Sequence, residues 1–291
     1  MSAQTTVQRP SLRESVKAQS LFTKALLYLV LSVGSFIILI PFVWMVSTSL
    51  KYSNQVFTWP IQWIPNPFRF ENYREALTMR PFGLYYWNTF VVTSVSVIGQ
   101  VISSSLVGYS LARLQWRGRN LIFVLVMSTL MLPEIVKLIP TFVIFSKVGW
   151  VNTFWPLIVP NFFGHAFNIF LFRQFFRSLP KELDEASKVD GCSLFGIYWR
   201  IIIPMSKPVI GIVAINTFRH TWNDFLQPLI YLNDTKLWTI TLGLRAFQQE
   251  FHVEWSLLMA ASVTTMIPIV ILFVIAQRYF IQGIVFTGVK G

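Results

Sequence analysis

The sequence predicts an all-α protein that crosses a membrane six times, and two observations lead to that fold class. Of its 291 residues, 54% are hydrophobic and only 12% are charged, and the mean hydropathy is +0.56. This is the composition of a membrane protein rather than of a soluble domain. In addition, six stretches poor in charge are each long enough to cross a bilayer core, which needs about 20 helical residues.

The six predicted spans follow one another within a single domain at 25–276. Their ranges are 25–50, 85–112, 120–142, 148–172, 208–232 and 257–276. The first is too long for a signal-peptide core, so we expect it to be retained. Pro133 and Pro268 lie inside the third and sixth spans, where we expect tolerated kinks. A basic segment at 1–24, loosely ordered at its start, precedes the spans, and a tail at 277–291 follows them.

The distribution of Lys and Arg predicts that both chain termini are cytoplasmic. With the N-terminus inside, 15 of the 24 basic residues fall in inside segments and 8 in outside segments. The positive-inside rule favours this orientation. It places the loop at 173–207 in the cytoplasm. The net charge of +12 therefore reports membrane orientation and does not indicate a nucleic-acid partner.

The loop at 173–207 contains the most ordered pattern in the chain. Ser178 is placed to cap a helix and Gly191 to end it. Carboxylates come early, where the helix dipole favours them, at Glu182, Asp184 and Glu185. Apolar residues recur at helical spacing, at Leu179, Leu183, Ala186 and Val189. The pattern predicts a short amphipathic helix offered to a partner. The alternative, a helix lying on lipid, suits its acidic face poorly.

This segment resembles the EAA loop of the permeases of ATP-binding-cassette (ABC) importers. The family pattern is Glu-Ala-Ala, three residues, Gly, and then an apolar stretch that ends in Pro. The matching residues are Glu185, Ala186, Gly191 and Pro204. Ser187 stands where the second Ala is usual, and Cys192 stands where Ala is commoner. Both are small, so the close fit of such a helix is preserved.

The resemblance extends over nearly the whole chain and points to carbohydrate-uptake permeases, specifically the maltose-type second subunit. Short segments resemble family elements in the same order, at 70–73, 108–113, 132–134, 149–153, 222–225 and 287–291. The resemblance implies the type I importer fold with a cytoplasmic coupling helix. In that helix, the residues that would dock on a partner ATPase are Glu185, Ala186, Ser187, Asp190 and Gly191. A tail ending in Lys290 and Gly291 would reach toward the same ATPase.

The partners implied by the resemblance are a second, homologous permease, a dimeric ABC ATPase and an extracytoplasmic solute-binding protein, in the inner membrane. We expect this chain to be no enzyme and to hold no cofactor, because no G-x-x-x-x-G-K-[ST] phosphate loop occurs in it. ATP and Mg²⁺ would be bound by the partner ATPase. One cysteine and three scattered histidines provide no metal motif.

Polar residues in the fifth span are the candidates for a solute path: Asn216, Arg219, His220, Asn223 and Asp224. A central Arg in a membrane helix costs about 2.5–3.5 kcal/mol unless it meets water or a partner. Three roles stay open for Arg219: binding solute, pairing with the partner permease, or linking to another helix of this chain. If it faces the path, a guanidinium favours an acidic oligosaccharide over a neutral one. Trp222 is more typical of packing than of stacking on a sugar.

Four functions remain to be separated at this point. The leading interpretation is an ATP-driven carbohydrate importer, and the same machinery could carry a phosphorylated polyol such as glycerol phosphate. A stand-alone ion-driven transporter would need several carboxylates or histidines along its spans. Asp224 lies within a span, and Glu134 lies near an end, where we expect it to contact water. A membrane scaffold without transport is the fourth. The last outer loop, with Arg245, Glu250, His252 and Glu254, is a candidate contact for the binding protein.

Overall fold

A computed structural model describes residues 12–248 and 253–288 of the chain. Over these residues the regular secondary structure is helical, and the one pairing of β type is an isolated bridge between Gln248 and Val253. The helices are α1 (Leu12–Ser49), α2 (Glu71–Met79), α3 (Phe82–Arg113), α4 (Arg119–Ser128), α5 (Glu134–Lys147), α6 (Trp155–Ile158), α7 (Ala166–Ser178), α8 (Glu182–Val189), α9 (Leu194–Ile197), α10 (Ile203–Met205), α11 (Lys207–Trp222), α12 (Leu226–Tyr231), α13 (Ile240–Arg245) and α14 (Trp255–Gly288).

The described helices confirm an all-α membrane-spanning fold. Four stretches are long and apolar enough to cross a bilayer, at Thr23–Ser49, Phe82–Arg113, Trp155–Ser178 and Trp255–Gln277. Two bent pairs, Arg119–Met131 with Glu134–Lys147 and Leu194–Met205 with Lys207–Trp222, raise the number to as many as six. The first, second and sixth predicted spans agree closely with helices. The other three differ, and each difference has a local cause.

The third span is broken at Pro133, where we predicted only a kink. Its two helical halves meet at 101°. Proline has no N–H to donate, and it drives the preceding residue out of the helical region. Leu132 accordingly has ψ of 114°, and α5 begins just after the proline, at Glu134. Pro268, in contrast, lies inside the continuous helix α14, as predicted.

The fourth and fifth spans differ from prediction at their ends. The fourth begins at Trp155, because Gly149 and Asn152 ahead of it have φ of 72° and 61°, which no helix accepts. The fifth stops at Trp222, and residues 223–225 are non-helical before α12 begins.

The termini are more helical than expected. α1 already starts at Leu12, and α14 runs to Gly288, past the predicted start of the tail at 277.

Helix α3 is the central element of the bundle. It packs against α7 and α11 along its length, and α1 packs mainly against α14. Close approach to α7 depends on Gly108, since a Cβ at that position would lie 2.7 Å from the Cβ of Phe172. Phe172 and Phe176 of α7 are fully buried in the same apolar cluster. We call the two ends of the bundle the α8 end and the α2 end, after the short helices that lie there.

At the α2 end, a side chain of α2 holds the end of α1. The amide of Asn72 donates to the carbonyl oxygens of Ser49 (2.9 Å) and Lys51 (2.8 Å). These bonds satisfy carbonyl groups that a helix terminus leaves without partners. Lys51 is fully buried, with its ammonium 4.0 Å from the ring centre of Trp44. Burial lowers the pKa of the Lys51 ammonium.

The close contact at Gly108 yields a stability prediction. Gly108→Val would insert methyl groups into the α3–α7 contact, and overpacking of this kind costs about 1–3 kcal/mol. We expect a lower midpoint in a thermal unfolding assay of the purified chain. Gly83→Val is the matched control, because Gly83 lies on the same helix and a Cβ added there would meet no other atom within 4 Å. Equal midpoints for the two variants would contradict the assigned contact.

Candidate functional site

Three helix breaks border the same pair of adjoining cavities. The first break is at Pro133, the second spans 159–165 between α6 and α7, and the third is at 223–225 before α12. Residues in or next to each break line both cavities, namely Glu134, Pro160, Asp224 and Gln227. In a bilayer core, non-helical backbone is tolerated only where protein or a water-filled cavity surrounds it. Breaks of this kind also build the solute sites of many transporters.

The smaller cavity has a volume of about 310 Å³ and lies where α3, α7 and α11 meet. Its lining is rich in amides, hydroxyls and imidazoles. Its polar members include Gln100, Asn161, His165, Asn168, Asn216 and Thr217. Gln100 and Asn168 are buried, and they lie near the middle of their spans.

Gln100 satisfies the backbone at the second break. In the amide orientation that suits both of its groups, it donates to the carbonyl of Asn161 (3.0 Å) and accepts from the N–H of His165 (2.6 Å). The same oxygen accepts from Asn168 Nδ2 (2.9 Å). Asn161 in turn donates to Ser96 Oγ (3.1 Å). The broken segment is thereby fixed to α3 by side chains in place of helical backbone bonds.

The larger cavity, of about 840 Å³, carries most of the charge. Its lining includes the cations Lys137 and Arg219 and the carboxylates Glu134 and Asp224. It shares with the smaller cavity the residues Glu134, Pro160, His220, Asp224 and Gln227. Glu134 is exposed, as predicted, but it contributes to the wall of both cavities. The two chambers thus share two carboxylates, and the larger one adds the two cations.

All five residues predicted to line a solute path lie along these cavities. Asn216 lines the smaller one, Arg219 and Asn223 the larger one, and His220 and Asp224 line both. Their side chains are exposed or half-buried in the chain. They lie close together because they occupy the last turns of α11 and the two residues that follow it.

Arg219 has no ion pair within the described part of the chain. Asp224, the nearest carboxylate in sequence, instead accepts a bond from the N–H of Gln227 (3.2 Å) and caps α12. The alternative in which Arg219 links two helices of this chain therefore finds no support among the described residues. Trp222 packs as predicted, since it is buried, stacks on Phe218 and donates its indole N–H to the carbonyl of Thr265.

The predicted amphipathic helix exists as α8 and ends in a Schellman motif. The N–H of Cys192 bonds the carbonyl of Ser187 (2.9 Å), and the N–H of Gly191 bonds that of Lys188 (3.0 Å). This motif requires a left-handed residue, and Gly191 has φ of 78°. The predicted start was wrong. The helix begins at Glu182, and the Ser178 hydroxyl bonds the carbonyl of Phe175 (2.7 Å) in the preceding helix.

The two faces of α8 are divided differently from the predicted pattern. Leu183, Asp184 and Ser187 face the body of the protein, and the Ser187 hydroxyl bonds the carbonyl of Leu183. The other side is exposed and consists of Glu182, Glu185, Ala186, Lys188 and Val189. Val189 is 88% exposed, although the periodicity placed it with Leu183. The exposed face therefore combines carboxylates with small and apolar groups.

Helix α3 holds the segment at 179–198, which contains α8 and α9, through three side chains one turn apart. Arg113 donates to the carbonyls of Leu179 (2.8 Å) and Pro180 (3.3 Å), and its Nη1 lies 3.4 Å from Asp184 Oδ2. Tyr109 donates to the carbonyl of Leu194 (3.2 Å). The Arg113 and Asp184 side chains are only 4% and 14% exposed. The buried ion pair explains why Asp184 faces inward.

The sequence analysis did not predict these contacts of Ser105, Tyr109 and Arg113, which together we call the clamp. The third contact joins Ser105 Oγ to Tyr198 Oη at 2.8 Å. Ser105, Tyr109 and Arg113 recur every four residues, and that spacing puts them on one face of the helix. The available signal was the spacing of these polar side chains. Gln100 could likewise have been singled out from the sequence, because it is an amide near the middle of a predicted span.

Some predicted positions lie outside the described residues. These are Lys290 and Gly291 of the tail and Glu250 and His252 of the last outer loop. Of the remaining loop residues, Arg245 has its guanidinium 5.8 Å from the ring centre of Phe225. Within the described residues, no group of three or more His, Cys, Asp or Glu side chains is arranged to hold a metal ion.

The comparisons with known proteins agree on one family. Residues 104–285 match the family described as "binding-protein-dependent transport system inner membrane component". A probable ABC transporter permease protein of Bacillus subtilis is 36% identical over 256 residues, 86% of this chain and 83% of that protein. An arabinooligosaccharides transport system permease protein of Halalkalibacterium halodurans is 34% identical over 278 residues, 92% of this chain and 99% of that protein.

Two further similarities concern cargo and fold. The sn-glycerol-3-phosphate transport system permease protein of Yersinia enterocolitica is 33% identical over 267 residues, 89% of this chain and 94% of that protein. In a crystal structure of a bacterial ABC transporter involved in the import of the acidic polysaccharide alginate, one chain superposes with a TM-score of 0.80 at 22% identity. The match covers 94% of this chain and all of that one, and it confirms the fold.

The Arg113 clamp yields a prediction about α8. Arg113→Gln would leave the Asp184 carboxylate buried without its partner, and breaking a buried pair typically costs about 3–5 kcal/mol. We expect faster hydrogen–deuterium exchange in residues 181–193 with little change elsewhere. Arg177→Gln is the control, because Arg177 is an exposed cation in the last turn of α7. Unchanged exchange in Arg113→Gln would show that the clamp does not hold the helix.

Proposed function

The chain belongs to the family of binding-protein-dependent transport system inner membrane components, and we propose that within it α8 is the helix through which ATP hydrolysis by a partner drives transport. The chain is a permease subunit of an ABC importer and no enzyme. Family membership selects the ATP-driven class over a stand-alone ion-driven transporter and over a scaffold. The observation that carries the proposal is the exposed face of α8, held in place from behind by Arg113.

The docking face would consist of Glu185, Ala186 and Asp190, with Gly191 setting its end. All four positions are exposed. Ser187 would contribute from behind, since it is buried against the chain itself. A rigid helix end suits the transmission of movement, because the Schellman motif and the ion pair leave α8 few ways to tilt on its own.

The partners would be arranged across the membrane according to the distribution of charge. The α8 end would be cytoplasmic, because the excess of Lys and Arg falls there. A dimeric ABC ATPase would hold α8 and bind the ATP and Mg²⁺, and Lys290 and Gly291 would reach toward it. A second, homologous permease would complete the pathway, and an extracytoplasmic binding protein would deliver solute at the α2 end. Closure of the ATPase would switch the permease pair by rigid-body movement.

The proposed cargo is a carbohydrate, with an acidic oligosaccharide favoured by the charged chamber. Arg219 and Lys137 line the larger cavity, and Arg219 has no ion-pair partner among the described residues. A guanidinium binds a carboxylate at two points, which a neutral hydroxyl does not permit. A phosphorylated polyol is the second candidate cargo, because the same cations would bind phosphate and one relative is named for glycerol phosphate.

The coupling proposal is tested at the end of α8. Gly191→Val forces a β-branched residue into the left-handed region and should displace the docking face, so we expect uptake to be lost. Glu185→Lys reverses a charge on that face and should weaken co-purification of the ATPase. Gly149→Val is the matched control, since Gly149 also has positive φ with open space around it but lies in the loop after α5.

Two results would count against this proposal. One is normal uptake by both Gly191→Val and Glu185→Lys in membranes that contain wild-type amounts of the chain. The other is ATP hydrolysis by the purified chain alone, because the sequence holds no phosphate loop. Equal loss of uptake in Gly149→Val would assign the effect to general backbone strain.

The cargo proposal is tested at Arg219. We expect Arg219→Gln to reduce transport of an acidic trisaccharide, trigalacturonate, more than that of the neutral maltotriose, since one charge-assisted contact is worth about 1.5–3 kcal/mol. Arg74→Gln, at an exposed cation on α2, controls for the change in overall charge. Equal loss for both sugars would indicate a structural role, and no loss for either would remove Arg219 from the path.

A further inference from the structure

Three guanidinium groups lie close together at the α8 end, where α4 packs against α7. Arg173 of α7 is only 8% exposed, and its guanidinium lies 3.8 Å from the ring centre of Phe123 of α4. Arg119 precedes Phe123 by one helical turn, and Arg177 follows Arg173 by one turn, so each shares a helix face with this contact. Both are close enough to Arg173 to repel its charge. We call Arg119, Arg173 and Arg177 the arginine cluster.

The arginine cluster has no carboxylate partner in the described part of the chain. The ion pairs found there belong to other arginines, Arg69 and Arg113. Arg119 and Arg173 donate to backbone carbonyl oxygens, which accept hydrogen bonds but neutralise no charge. The first turn of α4 contains no acidic residue, and the positive end of its dipole adds to the local field. The cluster therefore lacks a counter-charge, which a bound anion would supply.

A small cavity adjoins the cluster at the turn between α3 and α4. Its volume is about 300 Å³, and it is lined by Gln115, Trp116, Gly118, Arg119, Asn120 and Leu121. Arg119 belongs to both the cavity and the cluster. No side chain caps the start of α4, so backbone N–H groups there are available to an anion. The cavity thus adds two side-chain amides and a helix start to the charge of the cluster.

The wall of this cavity continues into an apolar surface that faces lipid. Leu121, Val124 and Leu125 of α4 are each more than half exposed, and α4 belongs to a candidate membrane span. Trp116 donates its indole N–H to Ser110 Oγ (3.2 Å), and tryptophan is typical of the headgroup level of a membrane. A ligand that covers both regions needs an anionic head and an apolar tail. A dissolved anion or an acidic protein surface would leave the apolar region uncovered.

We propose that the arginine cluster and the cavity beside it bind the headgroup of one anionic phospholipid, whose acyl chains lie along α4. Guanidinium groups bind phosphate oxygens at two points. Basic pockets between membrane helices are suited to lipid headgroups of this charge. The lipid would join α4 to α7 by bridging Arg119 and Arg177. This inference goes beyond the proposed coupling and cargo, and it requires only the membrane-spanning fold.

The test measures lipid binding to the purified full-length chain in detergent by native mass spectrometry. The probes are the anionic dioleoyl phosphatidylglycerol and the zwitterionic dioleoyl phosphatidylcholine, added in increasing amounts. We expect the first phosphatidylglycerol to bind more tightly than the first phosphatidylcholine. Arg119→Gln and Arg177→Gln should each weaken that first step about fivefold, the worth of one basic residue at an anionic membrane surface. Arg119→Lys, which keeps the charge, should weaken it less than Arg119→Gln.

Two controls separate the site from general effects. Arg200→Gln removes an exposed cation that lies on neither helix of the cluster, so it should leave the first step unchanged. Glycerophosphoglycerol, the same headgroup without acyl chains, should displace the bound lipid only at far higher concentration. Thermal unfolding midpoints of all variants are measured in the same detergent, and a variant that unfolds early is replaced by Arg177→Lys for the comparison of charge.

Four results would overturn the lipid site. The first is equal binding of phosphatidylglycerol and phosphatidylcholine. The second is preferential binding that Arg119→Gln and Arg177→Gln leave unchanged, or that Arg200→Gln weakens equally. The third is displacement by glycerophosphoglycerol as effective as displacement by the intact lipid, which would assign the cluster to a dissolved phosphate ester. The fourth is loss of ATPase co-purification in the cluster variants with lipid binding unchanged, which would assign it to a protein partner.

Discussion

The absence of water in a bilayer core governs this structure, because every backbone group there must find a partner within the protein. Unbroken helices such as α1 and α14 meet this requirement by themselves. The spans interrupted at Pro133, 159–165 and 223–225 do not, and these three interruptions lie around two cavities. Gln100 supplies bonds that the backbone at 161–165 lacks. The polar side chains in the interior thus supply the hydrogen bonds that the backbone loses where the helices are broken.

Helix α3 connects the cavities with the segment that contains α8. Near its middle, Gln100 fixes the wall of the smaller cavity. At its end, Tyr109 and Arg113 hold the loop that carries α8. Between them, Gly108 brings α3 against α7 so closely that a methyl group would not fit. A displacement of α8 would therefore reach the cavity through one packed helix.

The sequence was sufficient for the fold class and for most span positions, because Lys24, Lys51 and Arg113 bracket long apolar runs. It was also sufficient to find the candidate path residues in one short stretch, of which Asn223 and Asp224 lie past the end of α11. The sequence did not predict the helix breaks. A proline in an apolar run is compatible with either a kink or a 101° turn, and the surrounding packing determines which of the two forms. Asp184 faces the body of the protein because it pairs with Arg113, a residue so distant in sequence that the local pattern of α8 does not reveal the pair.

The position of α1 has a consequence for how the protein is made. Its apolar stretch has none of its residues buried within the chain, and it packs mainly against α14, the last helix. Ribosomes add about 5–20 residues per second, so roughly 10–40 seconds separate the synthesis of α1 from that of its partner. Lipid is a good solvent for such a helix, and association within it relies on close packing rather than on exclusion of water. The apolar part of α1 therefore gains its main packing partner only when α14, the last described helix, has been made.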